Sequence, residues 1–134
     1  MRLVITLLAL LCSRFLSPEP TSAVGTWLTA DREARVEITR QGDTYTGKYV
    51  GFRDPAASRK QGYEVGMVVL KDLQAKGNAL SGQVFDVESK KTYQATLIPK
   101  GPDKLELRVT VMGMTAHSEV WTRLAAAPPA KTRP

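Results

Sequence analysis

The sequence predicts an all-β protein, an antiparallel up-and-down meander of about eight short strands closed into a β-barrel. Three observations predict it. First, apolar and polar residues alternate with a period of two. Leu105, Leu107, Val109 and Val111 stand against Lys104, Glu106, Arg108 and Thr110, and Tyr93, Ala95 and Leu97 against Thr92, Gln94 and Thr96. That period gives a strand one buried face. Second, turn-forming residues recur at regular spacing between such runs. Third, no stretch carries the period of an amphipathic helix. A meander of this many strands must manage its edges, and closure removes them. A barrel of about eight strands either encloses one small ligand or is filled by its own side chains. A two-sheet sandwich is the other arrangement open to the same strands.

Taken in order, the 134 residues suggest one domain behind a leader. Met1 and Arg2 form a basic start, and residues 3–12 are apolar. The run is too short for a spanning helix, which needs about 20 residues. Thr21 and Ala23 suit a secretory cleavage site, so residues 1–23 read as a signal peptide with Val24 as the first mature residue. An uncleaved membrane anchor is the competing reading, and the expectation is that no anchor remains after cleavage. Cys12 is the only cysteine and lies in the leader, so the mature chain has no disulfide and relies on its core. Lipid modification of Cys12 is a minor alternative, because Leu11 precedes it where a small residue is wanted.

Strands follow over residues 24–30, 34–40 and 44–52, separated by a charged turn at 31–33 and a tight turn at 41–43. Residues 53–64 read as a long surface loop. Residues 65–71 read as a short apolar strand, with a turn over 72–78. The runs 80–87 and 92–98 flank the polar tetrad 88–91 as a hairpin. Residues 104–111 and 116–124 complete the barrel domain, expected over residues 24–124. Residues 125–134 are rich in Ala and Pro, then basic, and read as a disordered tail.

Charge narrows the function classes. Lys and Arg total 19 and Asp and Glu 13, a net +6. Without the leader's Arg2, Arg14 and Glu19 the balance is +5. The basic residues are spread through alternating strands rather than gathered in a stripe with interleaved aromatics, which argues against nucleic acid as a partner. Catalysis has little to draw on. His117 is the only histidine, no Gly-x-Ser-x-Gly elbow is present, and no phosphate-cradling glycine loop opens a helix. One His without mature Cys makes a structural zinc site improbable, and no other metal or cofactor is implied. Asp86 and Glu88 are close enough in sequence to pair for acid–base work or calcium, but a solvated edge is the preferred reading. The expectation is a protein that is not an enzyme.

One pair of motifs suggests how the barrel ends. Gly25-Thr26-Trp27 opens the first strand and Trp121-Thr122-Arg123 closes the last. In a closed meander these strands are neighbours, so Arg123 can lie over the Trp27 ring as a cation–π contact. This resembles the lipocalin superfamily signature, in which a Gly-x-Trp and a late Arg plug one end. Followed in order, Val24-Gly25-Thr26-Trp27-Leu28, the run 34–38, Tyr45-Thr46-Gly47-Lys48, the hairpin 81–93, the run 105–109 and Trp121-Thr122-Arg123 resemble the small exported bacterial proteins of domain of unknown function 2147. The likeness covers nearly the whole mature chain. It implies a lipocalin-like (calycin-type) barrel and, as the usual suggestion for that family, binding of a lipophilic ligand. Gly25, Trp27 and Arg123 are then the structural plug.

If the Trp27 end is closed, the loops at 31–33, 53–64, 88–91 and 112–115 surround the open one, with 53–64 as a lid. Candidate pocket-lining residues are Tyr49, Val84, Tyr93, Leu97, Leu107 and Val109, with Met112 and Met114 adding adaptable apolar surface at the mouth. The functional expectation is an exported, periplasmic or secreted protein holding a small hydrophobic or amphipathic ligand such as a fatty acid or lipid. Arg59, Lys60 or Lys90 would orient an acidic head group. The alternative is a packed barrel acting as a protein-interaction module in the cell envelope, through its loops and the basic tail at 131–133.

Overall fold

A computed structural model describes residues 23–126. Residues 1–22 of the leader and residues 127–134 of the tail lie outside the described residues. Eight antiparallel strands form one closed barrel in sequence order: β1 (Gly25–Leu28), β2 (Ala34–Gln41), β3 (Thr44–Phe52), β4 (Val68–Lys76), β5 (Ala79–Asp86), β6 (Lys91–Pro99), β7 (Lys104–Val111) and β8 (Met114–Ala126). The expected all-β, up-and-down barrel is the observed fold. Closure runs through the four-residue β1, which pairs with β2 (Trp27 opposite Val36) and with β8 (Trp27 opposite Arg123).

The inward face follows the alternation. Trp27, Val36, Ile38, Tyr45, Leu70, Leu73, Leu80, Leu97 and Leu105 are at most 2 % exposed and form one core cluster. Each such side chain contributes about 1.5–3 kcal/mol by leaving water. Many outward positions are polar, although Val68, Val120 and Leu124 are exposed, and one polar position carries an ion cluster. Glu106 accepts hydrogen bonds from Ser118 Oγ (2.7 Å) and Arg108 Nη2 (3.1 Å), and lies 3.3 Å from Lys100 Nζ. The Ser118 hydrogen bond, with those of Arg108 and Lys100, holds its carboxyl below the usual range against the opposing effect of burial.

Three segments differ from the sequence expectation. The strand expected over 65–71 starts at Val68 and continues to Lys76, through the segment expected to turn. A bulge between Lys71 and Gln74 breaks the alternation that would have revealed it. Asp72 takes φ 56° there. Gly82, across from the bulge, is needed because a Cβ at that position would stand 2.7 Å from the carbonyl oxygens of Lys71 and Asp72. The long loop is also not wholly irregular. It holds α1 (Pro55–Lys60), whose Asp54 Oδ1 accepts from Ala57 N at 3.2 Å, with Pro in the first turn. At the far end β8 extends to Ala126, past the expected start of the tail.

Candidate functional site

The two ends of the barrel are built differently. At the end where β1 begins, Trp27 is fully buried and its Nε1 donates to Ala23 O at 2.9 Å. The Arg123 guanidinium carbon lies 4.3 Å from the Trp27 ring centroid. Arg123 Nε donates to Pro102 O at 2.7 Å and Nη1 to Val24 O at 3.0 Å. One side chain thus covers the indole, ties the strand entering β1 and ties the β6–β7 turn. Trp27 and Arg123 pack together at this end, while Gly25, expected to join them, contributes only its place in β1 opposite Ile38.

The other end is open, and two cavities lie there. The first, about 340 Å³, sits beneath α1 beside the β1–β2 turn and is lined by Thr29, Asp31, Glu33, Tyr49, Phe52, Asp54, Ser58, Gln61, Tyr63, Glu88 and Glu119, among others. The second, about 440 Å³, reaches between β5–β6 and β7–β8. Its walls include Val84, Phe85, Tyr93, Leu107, Val109, Val111 and Ala116, with Asp86, His117 and Glu119 as its polar groups. Tyr49, Tyr63 and Glu119 line both. The volumes fall in the range of small-molecule sites, about 300–1,000 Å³.

Three rings organise the mouth. Tyr49, Phe52 and Tyr63 pack against one another with centroids 5.0, 5.8 and 6.0 Å apart, tilted or edge-on, the geometry aromatic quadrupoles prefer. The β3 register supplies Tyr49 and Phe52. The segment after α1 brings in Tyr63, whose N donates to Ser58 O. Tyr63 Oη donates to Glu88 Oε2 at 3.0 Å, linking the long loop to the β5–β6 turn. Burial, then the negative charges of Asp31, Glu119, Asp86 and Glu88, push the Tyr49 hydroxyl up to about 12. Burial and the Glu88 bond push that of Tyr63 up as well. On β8, Glu119 Oε2 accepts from Trp121 Nε1 at 2.6 Å, while Oε1 lies 2.7 Å from His117 Nε2.

Of the residues expected to line a pocket, Tyr49, Val84, Tyr93, Leu107 and Val109 come together around the second cavity. Leu97 does not join them. It is fully buried in the core cluster, because its β6 position pairs with Leu80 and Leu107 deeper in the barrel. Met112 and Met114 are not among the lining residues of either cavity. They stand 96 % and 73 % exposed at the β7–β8 turn, where Met112 and Gly113 both take positive φ. Arg59 borders a separate hollow with Pro55 and Val65, and Lys60 and Lys90 are exposed without lining either cavity. The loops instead place exposed carboxylates, Asp31, Glu33, Asp54 and Glu88, at the rim of the first cavity, and Phe52, Tyr63 and Glu119 join the site without having been singled out. The clue available for Glu119 was its shared parity with His117 and Trp121. Among the described residues no group of three or more His, Cys, Asp or Glu side chains is set to hold a metal ion. No helix among them is long and apolar enough to cross a membrane.

A closed eight-stranded up-and-down barrel, plugged at one end and hollow at the other, defines the class: a small barrel of lipocalin-like build. The family model described as "Uncharacterized protein conserved in bacteria (DUF2147)" matches residues 25–123, and the chain belongs to that family. No curated protein and no solved structure gives a significant match.

Proposed function

We propose that this protein is an exported, non-catalytic holder of a small hydrophobic or amphipathic molecule, bound at the open end of the barrel. One observation carries the reading. A cavity of about 440 Å³, walled by Val84, Tyr93, Leu107 and Val109, lies opposite a plugged end. Most of its walls are apolar or aromatic side chains, so burial of a ligand's apolar body would supply the affinity. The export half of the reading rests on the apolar leader and its small-residue cleavage site.

The experiment is native mass spectrometry of protein expressed with its leader and purified from the exported fraction, beside a solvent extract. A bound mass that extracts as a small amphiphile is the expected result. A clean apo mass that takes up no amphiphilic probe would overturn the reading. It would favour a protein-interaction module in the cell envelope, for which the exposed apolar turn of Val111, Met112 and Met114 is the supporting feature.

A further inference from the structure

The sign of the charge at the mouth is not the sign of the protein. The four loops around the opening carry Asp31, Glu33, Asp54, Glu64 and Glu88, and also Arg32, Arg53, Arg59, Lys60, Lys90 and Lys91. The fold sorts them. Asp31, Glu33, Asp54 and Glu88 line the first cavity, and no Lys or Arg lines either cavity. The strands add Asp86 and Glu119.

Some of these carboxylates already have a task. Asp54 caps α1, and Glu33 meets Arg53 at 3.5 Å. Asp31, Glu88 and Glu119 form no ion pair with Lys or Arg among the described residues. Asp31 accepts from Thr29 Oγ1 and the Glu33 amide, Glu88 from the Tyr63 hydroxyl, and Glu119 from the Trp121 indole with His117 beside it. These carboxylates border the Tyr49–Phe52–Tyr63 ring cluster. A cation beside such rings gains from their quadrupoles as well as from the negative charge. Beyond the larger effect of burial, Asp31, Glu119, Asp86 and Glu88 all raise the Tyr49 hydroxyl, and a ligand's head at the same mouth would meet the same negative potential. Since the acidic side chains do not converge as metal ligands, the arrangement suits an organic cation rather than a bare metal ion.

We propose that the molecule held in this barrel carries a positively charged head group, an ammonium or similar organic cation on an apolar body. Its head lies among Asp31, Glu88 and Glu119 beside the rings of Tyr49 and Tyr63, and its apolar part lies against Val84, Leu107 and Val109. This rests on the ligand-holding reading above. It replaces the acidic head group and the Arg59, Lys60 and Lys90 clamp expected from the sequence.

Three probes of equal chain length isolate the head group: decyltrimethylammonium, decanoate and decanol. Each is titrated into the purified protein below its micellar concentration, by calorimetry and by the fluorescence of Trp121, whose indole touches Glu119. The expected result is binding of the ammonium probe at least about tenfold tighter than the other two, with the advantage shrinking in salt. Glu119→Gln and Glu88→Gln should each lower ammonium affinity severalfold and leave decanol affinity unchanged. Decanoate or decanol binding as tightly as the ammonium probe would overturn the charge assignment while leaving the ligand-holding reading intact. Saturable binding of none of the three would overturn both. Glu88 is exposed at a turn, so its variant keeps the test available should Glu119→Gln fail to fold.

Discussion

Replacing Arg123 by Ala should open the closed end of the barrel. The substitution removes a guanidinium 4.3 Å from the Trp27 ring and its donors to Pro102 O and Val24 O. A partly desolvated cation–π contact is worth about 1 kcal/mol. A charged donor to a carbonyl contributes about 1.5 kcal/mol, less where water competes, as it does at Pro102. The expected loss is therefore about 2–3 kcal/mol, or roughly 10–20 °C in Tm for a domain of this size. The effect is large because β1 is only four residues long and closes the barrel between β2 and β8. Arg123→Lys should recover about half, since it keeps the charge over the indole but cannot make both fork contacts. Urea unfolding followed by fluorescence reads the free energy. Pairing Arg123→Ala with Trp27→Leu in a double-mutant cycle should give a coupling near 1 kcal/mol. Arg123→Ala within about 0.5 kcal/mol of the parent, the range of an ordinary surface change, would refute the plug.

Three further perturbations probe the frame. Gly82→Ala should destabilise by about 1–3 kcal/mol, because its Cβ would meet backbone oxygens of the β4 bulge at 2.7 Å, whereas Ser81→Ala should be near neutral in the same melt. Glu106 has a folded pKa below its ordinary value of 4.5, so its contribution is present above 4.5 and is lost as pH falls below it; the stability gap between the parent and Glu106→Gln should accordingly narrow in urea titrations taken from pH 7 down to pH 3. Met112→Asn should stabilise by about 0.5 kcal/mol, because Met112 and Gly113 both hold positive φ in a two-residue turn; a lower Tm for this variant would mean that the exposed methionine makes contacts the turn needs.

The parts of the fold written locally were legible. β6 and β7 show strict alternation, and the turns at Gly42, Gly77 and Gly101 carry their own signals. The meeting of Trp27 with Arg123 follows from closure alone, since closing a meander makes its first and last strands neighbours. β4 was misjudged because one extra residue at the bulge shifts parity midway, so neither half shows a full alternation. α1 is six residues long, too short for a helical period, and only the Asp54-Pro55 pair marked its start. The site was the least legible part. The wall of the second cavity was accessible through strand parity, which named Tyr49, Val84, Tyr93, Leu107 and Val109. The mouth was not, because loop side chains have no period. Arg59 and Lys60 stand in the same loop as Asp54, and only the folded loop decides which face the opening.

A mouth where Asp31, Glu88 and Glu119 form no ion pair with Lys or Arg among the described residues should also leave a trace in stability. Asp31, Asp86, Glu88 and Glu119 are charges of one sign gathered at one mouth, and like charges brought together cost Coulomb energy. Functional sites often keep such unfavourable groupings, and stabilising changes there tend to reduce function. Glu88→Gln retains an acceptor for the Tyr63 hydroxyl while removing one charge. It should therefore raise stability at low salt by about 0.3 kcal/mol, the scale of exposed charge interactions. The gain should fade above about 0.5 M salt, where the screening length falls to a few ångströms. The same variant should bind the ammonium probe more weakly, so stability and affinity move in opposite directions. A structural carboxylate behaves differently, because its removal lowers stability at every ionic strength and affinity falls with it. Melting Glu88→Gln and the parent at both salt concentrations separates the two, and a loss of stability at low salt would rule out a mouth held open for a cation.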